Sequence, residues 1–125
     1  MTENDLARTV AALCLKIHKK LGPGLLENVY EEALCYELAK SNISFRRQQG
    51  VKVHYDGIRL DLGFRPDIIV ADKMIVEIKS ITQVAPVHLK ILLTYLRLSG
   101  KKLGLLINFN ETLLKHGIKR VVNNV

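Results

Sequence analysis

The sequence predicts an α/β domain built as a three-layer α/β/α sandwich around a mixed sheet. Three observations carry this. Apolar residues recur at helical spacing near the N-terminus and again in residues 85–99. Between them the period switches to two. The later run from Leu103 to Phe109 is nearly all apolar, as in a strand covered on both faces. With 125 residues, 48% hydrophobic and 25% charged, the chain fits one domain, residues 1–125, with a self-sufficient core. Such a composition excludes a disordered tail and a disulfide-stapled miniprotein.

Residues 5–21 place Leu6, Val10, Leu13, Ile17 and Leu21 on one helical stripe, which Gly22-Pro23-Gly24 ends. A second helix is predicted from Leu25 to Lys40, with Glu27, Glu31 and Glu32 in its first turns, where the helix dipole favours negative charge. Val51, Val53 and Tyr55 alternate with polar residues, as do Ile58, Leu60, Leu62 and Phe64; the Asp56-Gly57 pair between them signals a hairpin. Two further strands are predicted at 68–70 and 74–79. Leu89, Leu92, Leu93 and Leu96 mark the helix at 85–99, with Gly100 placed to stop it. Residues 118–122 suit a short final strand.

The net charge is +7, and it is uneven. Residues 1–40 hold five basic and six acidic side chains, residues 41–125 fourteen and six. A basic body favours a polyanionic partner such as nucleic acid or an anionic membrane surface. Cys14 and Cys35 form no metal-binding pattern and read as buried, reduced thiols. The polar N-terminus has no signal-peptide core, and no apolar run approaches the ~20 residues that span a bilayer. A cytoplasmic protein with no membrane association is expected.

Phosphate loops, GxGxxG, GxSxG and HExxH are all absent. One constellation stands out. Asp67 follows Pro66 at the start of a strand, and Glu77-Ile78-Lys79 lies in the next one. Residues i and i+2 of a strand share a face, so Glu77 and Lys79 do. Two carboxylates on adjacent strands can hold a hard divalent cation, and a neighbouring lysine can balance charge or orient a phosphate. This is the equipment of metal-assisted phosphodiester hydrolysis. A solvated Glu–Lys pair would account for the same letters taken alone. Gly24-Leu25-Leu26-Glu27-Asn28-Val29-Tyr30 adds a second element of the form GxxExxY; there a carboxylate serving the helix dipole would be sufficient cause for Glu27.

Together, GxxExxY and Arg65-Pro66-Asp67 followed by Glu77-Ile78-Lys79 resemble the GxxExxY family of small bacterial proteins, grouped with the PD-(D/E)XK nuclease superfamily. The resemblance runs from Leu13 to Phe109 and includes Thr94-Tyr95-Leu96-Arg97. It implies a restriction-endonuclease-like core and a centre dependent on Mg²⁺ or Mn²⁺. Asp67 and Glu77 would be metal ligands, Lys79 the catalytic lysine, and Glu27 an accessory acid. Family members often carry Gln four residues before the position of Tyr95; here Ile91 stands there. His88 or Lys90 could substitute, though Lys90 lies about 100° round the helix from that position.

The functional expectation is therefore a divalent-metal-dependent nuclease acting on DNA or RNA. The alternative is a catalytically weak nucleic-acid-binding module of the same fold. Nucleic acid is expected on the basic part, through Arg46, Arg47 and Arg65 on strand segments and Lys90 and Arg97 on the later helix, with Lys52, Arg59, Lys101 and Lys102 nearby. A homodimer is a reasonable expectation for so small a domain.

Parity adds a structural condition. Directly opposed residues in a hairpin share a face. A two-residue loop at Asp72-Lys73 would set Asp67 against Ile78 and separate the two carboxylates. A three-residue loop, 71–73, sets Asp67 against Glu77. An odd loop or a compensating bulge is therefore predicted.

Overall fold

The computed structural model describes residues 1–124. Helix α1 spans Glu3–Leu21. Thr2 caps it: its hydroxyl accepts the Asp5 N–H at 3.1 Å, and the Asp5 carboxylate accepts the Thr2 N–H at 3.0 Å. Leu6, Val10, Cys14 and Ile17 form its buried stripe. Gly22, at φ 69°, ends the helix and returns its N–H to the His18 carbonyl. Helix α2, Glu27–Lys40, packs beside α1 and buries Tyr30, Leu34 and Leu38.

The main sheet has five strands. They are β1 (Phe45–Arg47), β4 (Ile68–Val70), β5 (Met74–Lys79), β6 (Leu103–Asn108) and β7 (Ile118–Val122), in that spatial order. Only β5 and β6 run parallel, joined over one face by helix α3, Pro86–Ser99; the other neighbours are antiparallel. Gly100 stops α3 in the left-handed conformation. Strand alternation divides the core. Met74, Val76 and Ile78 face α1 and α2, whereas Ile75 and Leu106 pack with Leu92 and Leu96 of α3. The three layers expected from the sequence are present, and residues 118–122 do form the last strand.

Two features go beyond the expectation. Arg46 and Arg47 do lie on a strand, but alternation sets no bounds for it, because Phe45-Arg46-Arg47 has no apolar period; pairing with the edge of β4 makes β1 a strand of the main sheet. The hairpin of β2 (Val51–Tyr55) and β3 (Ile58–Phe64) stands outside the main sheet as a separate two-stranded ribbon against α3. Its turn is Asp56-Gly57, both at positive φ, as the sequence indicates.

The β4–β5 loop meets the parity condition. Val70 opposes Met74 and Ile68 opposes Val76, so the loop is residues 71–73 and Asp67 comes level with Glu77. The Val70 carbonyl accepts the Lys73 N–H at 2.9 Å, and Ala71 and Asp72 between them have φ of 51° and 56°. Arg46 and Lys101 both bind the exposed Asp72 carboxylate, at 2.5 and 3.0 Å; together, Lys101 foremost, they hold it below its usual pKa.

Candidate active site

Where the β4–β5 ladder runs out, side chains replace it. Pro66 has no N–H to continue the pairing. The Asp67 N–H instead donates to Glu77 Oε1 at 3.2 Å, and the Ile78 N–H donates to Asp67 Oδ2 at 2.8 Å. Each strand thus lends a carboxylate to the backbone of the other, and the two carboxylates are held side by side. Both lie on the α3 face of the sheet, as does Lys79, which is two residues along from Glu77.

The pair is electrostatically costly. Glu77 is only 9% exposed. Burial, and then the Asp67 charge, push its pKa up to about 8, against the opposing effects of the Asp67 N–H and Lys79. Tyr95 of α3 lies within reach of both carboxylates: its pKa is raised by burial, then by Glu77 and Asp67. Its ring stacks on Phe64 at a centroid separation of 4.4 Å. Lys79 is half-buried, and its carbonyl accepts the Phe109 N–H at 2.8 Å, which fixes the end of β5 to β6.

Glu27 reaches the site's edge from the opposite layer. It is the first residue of α2, and its Oε2 accepts the Ser80 N–H at 3.2 Å, one residue beyond Lys79. Ser80 Oγ donates to the Leu25 carbonyl at 2.6 Å. Glu27 therefore ties the helix start to the end of β5. The rest of GxxExxY is explained locally. Gly24 has φ 99°, which L side chains rarely adopt. The Tyr30 hydroxyl donates to the Gly22 carbonyl at 2.6 Å and accepts the Leu25 N–H at 3.1 Å, while its ring stacks on Phe109. Tyr30 staples the loop that presents Glu27.

Two polar residues at the site carry no signal in the motifs. Gln48 Nε2 donates to Asp67 Oδ1 at 3.2 Å and to Glu31 Oε1 at 2.9 Å. The Gln48 backbone N–H also binds the Asp67 carbonyl at 2.9 Å, and Gln48 is held at φ 54°. Buried Glu31, one helical turn after Glu27, takes Arg47 Nε at 2.5 Å. An amide thus reaches Asp67, although the exposed Ile91 holds the α3 position where the resemblance drawn from the sequence would put Gln. His88 is committed elsewhere: its Nδ1 accepts the Ala85 N–H at the start of α3.

The basic residues singled out in the sequence divide into two groups. Arg46 and Arg47 are engaged by Asp72 and Glu31. Arg65, Lys90 and Arg97 are exposed, and none is in an ion pair among the described residues. Cys14 and Cys35 are buried free thiols, and burial raises the pKa of both.

Among the described residues no three His, Cys, Asp or Glu side chains are grouped to hold a metal ion, so Glu27 does not join Asp67 and Glu77 in a three-acid cluster. Two adjacent carboxylates nevertheless fit Mg²⁺, which commonly takes one or two from the protein and completes its shell with water and phosphate oxygens. The pair supplies hard oxygen donors, and a cation would relieve the cost of charge on the buried Glu77 beside Asp67.

The fold is thus an α/β/α sandwich around a mixed sheet that carries a carboxylate pair at the end of two of its strands. Comparison with protein families makes this specific: the model of the PD-(D/E)XK nuclease superfamily matches residues 4–121, and the chain belongs to that superfamily. No curated protein and no solved structure matches it. No helix among the described residues is long and apolar enough to cross a membrane.

Proposed function

We propose that this protein is a divalent-metal-dependent nuclease of the GxxExxY type, hydrolysing phosphodiester bonds in DNA or RNA with Mg²⁺ or Mn²⁺. One observation carries the reading: the reciprocal Asp67–Glu77 pair, half-buried at Asp67 and buried at Glu77, on the face it shares with Lys79. Asp67 and Glu77 are the residues to hold the ion. Bound there, it would supply Lewis-acid stabilisation of charge developing at phosphorus and lower the pKa of water. The Lys79 ammonium adds a positive charge on that face, suited to a non-bridging phosphate oxygen or to a nearby nucleophilic water. Glu27 holds the Ser80 N–H and so fixes the backbone next to Lys79. Gln48 holds Asp67 in one orientation.

The reading is tested by incubating the protein with single- and double-stranded DNA and RNA in Mg²⁺, Mn²⁺ or EDTA. Cleavage is expected with either ion and none in EDTA. Asp67→Asn and Lys79→Ala should each lower the rate roughly 10²–10⁴-fold. A folded protein that cleaves no substrate with either ion overturns it. The exposed Ile91 favours one second reading, a module that binds nucleic acid without cutting it; binding without cleavage is its signature.

A further inference from the structure

We propose that the outward back of α3 is a docking seam for an acidic amphipathic helix of a partner protein, a role independent of the nuclease reading. A surface helix ordinarily turns an apolar stripe to the core and polar residues to solvent. Helix α3 is apolar on both sides. Leu89, Leu92 and Leu96 pack into the core with Ile75 and Leu106. Val87, Ile91, Thr94 and Leu98 recur at steps of four, three and four, the spacing of a helix–helix seam. At 100° per residue they fall within an arc of about 60°, roughly opposite the core stripe. Val87 is 54% exposed, Ile91 43% and Leu98 47%, and Thr94 is exposed as well. From Val87 to Leu98 the seam is about 16 Å long, enough for three turns of a second helix.

Charge defines the occupant. Lys90 and Arg97, two turns apart, run along one flank of the seam; both are exposed, and neither is in an ion pair among the described residues. On the other flank stands the uncharged Tyr95, stacked on Phe64. Helix α3 contains no Asp or Glu, so a second copy of α3 laid on the seam would offer Lys90 and Arg97 no opposite charge. Helix α2 is acidic and exposes Val29 and Tyr36, but it packs on the other side of the sheet. A contact between α2 of one copy and α3 of the next would run head to tail rather than pair two copies about a two-fold axis. Nucleic acid would match the two cations and leave the apolar seam beside them uncovered. The helix that fits has apolar residues at the same spacing and Asp or Glu along one side to meet Lys90 and Arg97.

Binding is measured by fluorescence anisotropy with three labelled synthetic peptides of about three heptads each. The first carries Leu at the seam spacing and Glu along one flank. The second replaces each Glu with Lys, and the third scrambles the first. The acidic peptide is expected to bind at least about tenfold more tightly than either of the others, and more weakly as salt rises. Ile91→Gln combined with Leu98→Gln should weaken it about tenfold. Lys90→Glu combined with Arg97→Glu should reverse the preference, so that the lysine peptide becomes the tighter ligand. All four side chains are exposed, so these replacements leave the fold intact, as circular dichroism checks. Methyl resonances of Val87, Ile91 and Leu98 should shift on binding, while those of Val29, exposed on the opposite layer, stay in place. The proposal is overturned if the acidic peptide binds no better than the lysine peptide, or if the charge reversal leaves the preference as it was. It is also overturned if the free protein sediments as a dimer that the Ile91→Gln, Leu98→Gln variant splits, which makes the seam an interface between copies. An oligonucleotide that shifts the seam methyls where no peptide does overturns it too, and gives Lys90 and Arg97 to nucleic acid.

Discussion

The molecule contains two antiparallel hairpins that neighbour each other in sequence and differ in almost every physical respect. In β4–β5 every strand residue but Lys79 is buried, and the pairing is regular from Val70–Met74 to Ile68–Val76. In β2–β3 most residues are exposed, and the register shifts between Lys52 and His54. A strand with both faces in a core has its register fixed, because a slip of one residue exchanges the faces. That is what holding two carboxylates side by side requires. A ribbon with one packed edge is held by its turn and few apolar contacts, so it opens at low cost and can adjust to a ligand. The reciprocal carboxylates sit at the end of the regular, buried hairpin, whereas Lys52 and Arg59, in no ion pair among the described residues, sit on the exposed one.

The largest expected effect sharpens this contrast through pH. Glu77 titrates near its ordinary value of 4.5 in the unfolded chain and at about 8 in the folded protein. Below pH 4.5 the carboxyl is protonated in both states. Between about 4.5 and 8 the folded protein keeps a proton that the unfolded chain has released, so stability falls as pH rises through that window and levels off above it. In EDTA the melting temperature should therefore drop between pH 5 and pH 8.5, by roughly 5 °C or more for a few kcal/mol. Glu77→Gln should flatten the drop, and Mg²⁺ should restore stability most at the alkaline end, where Glu77 is charged. A melting temperature indifferent to pH in EDTA would mean that the pair is not held in the buried arrangement. No carboxylate of the β2–β3 hairpin is buried, and Leu62→Ser there, which adds and removes no titratable group, should leave the pH profile unchanged.

The next effect concerns what keeps Asp67 in place. Gln48→Ala removes the amide shared by Asp67 and Glu31. Losing an outer partner of a metal-ligating residue typically costs 10–100-fold in metal affinity or activity. Cleavage should fall by about that factor, and a higher Mg²⁺ concentration should recover part of it. A rate within twofold of the unmodified protein would show that the backbone bonds alone hold Asp67.

These residues also mark how far the sequence could be read. Period and turn chemistry define the three layers, the Asp56-Gly57 turn and even the odd loop between Asp67 and Glu77, because strand parity is local. Which sheet a strand joins is not local, so alternation over residues 51–64 reveals a hairpin but not that it leaves the main sheet. Strand β1 exists only through its pairing with β4. Glu31 could have been found, since it lies four residues after Glu27 on one helical face. Gln48 could not: it sits between strands in a polar stretch, and its role depends on a strained φ of 54° that no pattern announces.

The smallest effect tests the turns themselves. Ala71 occupies the left-handed region at φ 51°, where a Cβ costs roughly 1–2 kcal/mol. Ala71→Gly removes that cost and adds back some 0.4–1 kcal/mol of unfolded-state entropy. The net gain should be about 0.5–1 kcal/mol, seen as a rise in melting temperature of a few degrees with cleavage unchanged. The gain should appear in full because β4–β5 lies in the core and opens only when the whole protein unfolds. Gly57→Ala is the converse change, placing a Cβ at φ 75° in the exposed hairpin. There the penalty should fall on local opening: faster amide exchange in β2 and β3, with a much smaller change in melting temperature. If both substitutions moved the melting temperature by equal and opposite amounts, the two hairpins would belong to one cooperative unit, and the division into a rigid site and an adaptable ribbon would fail.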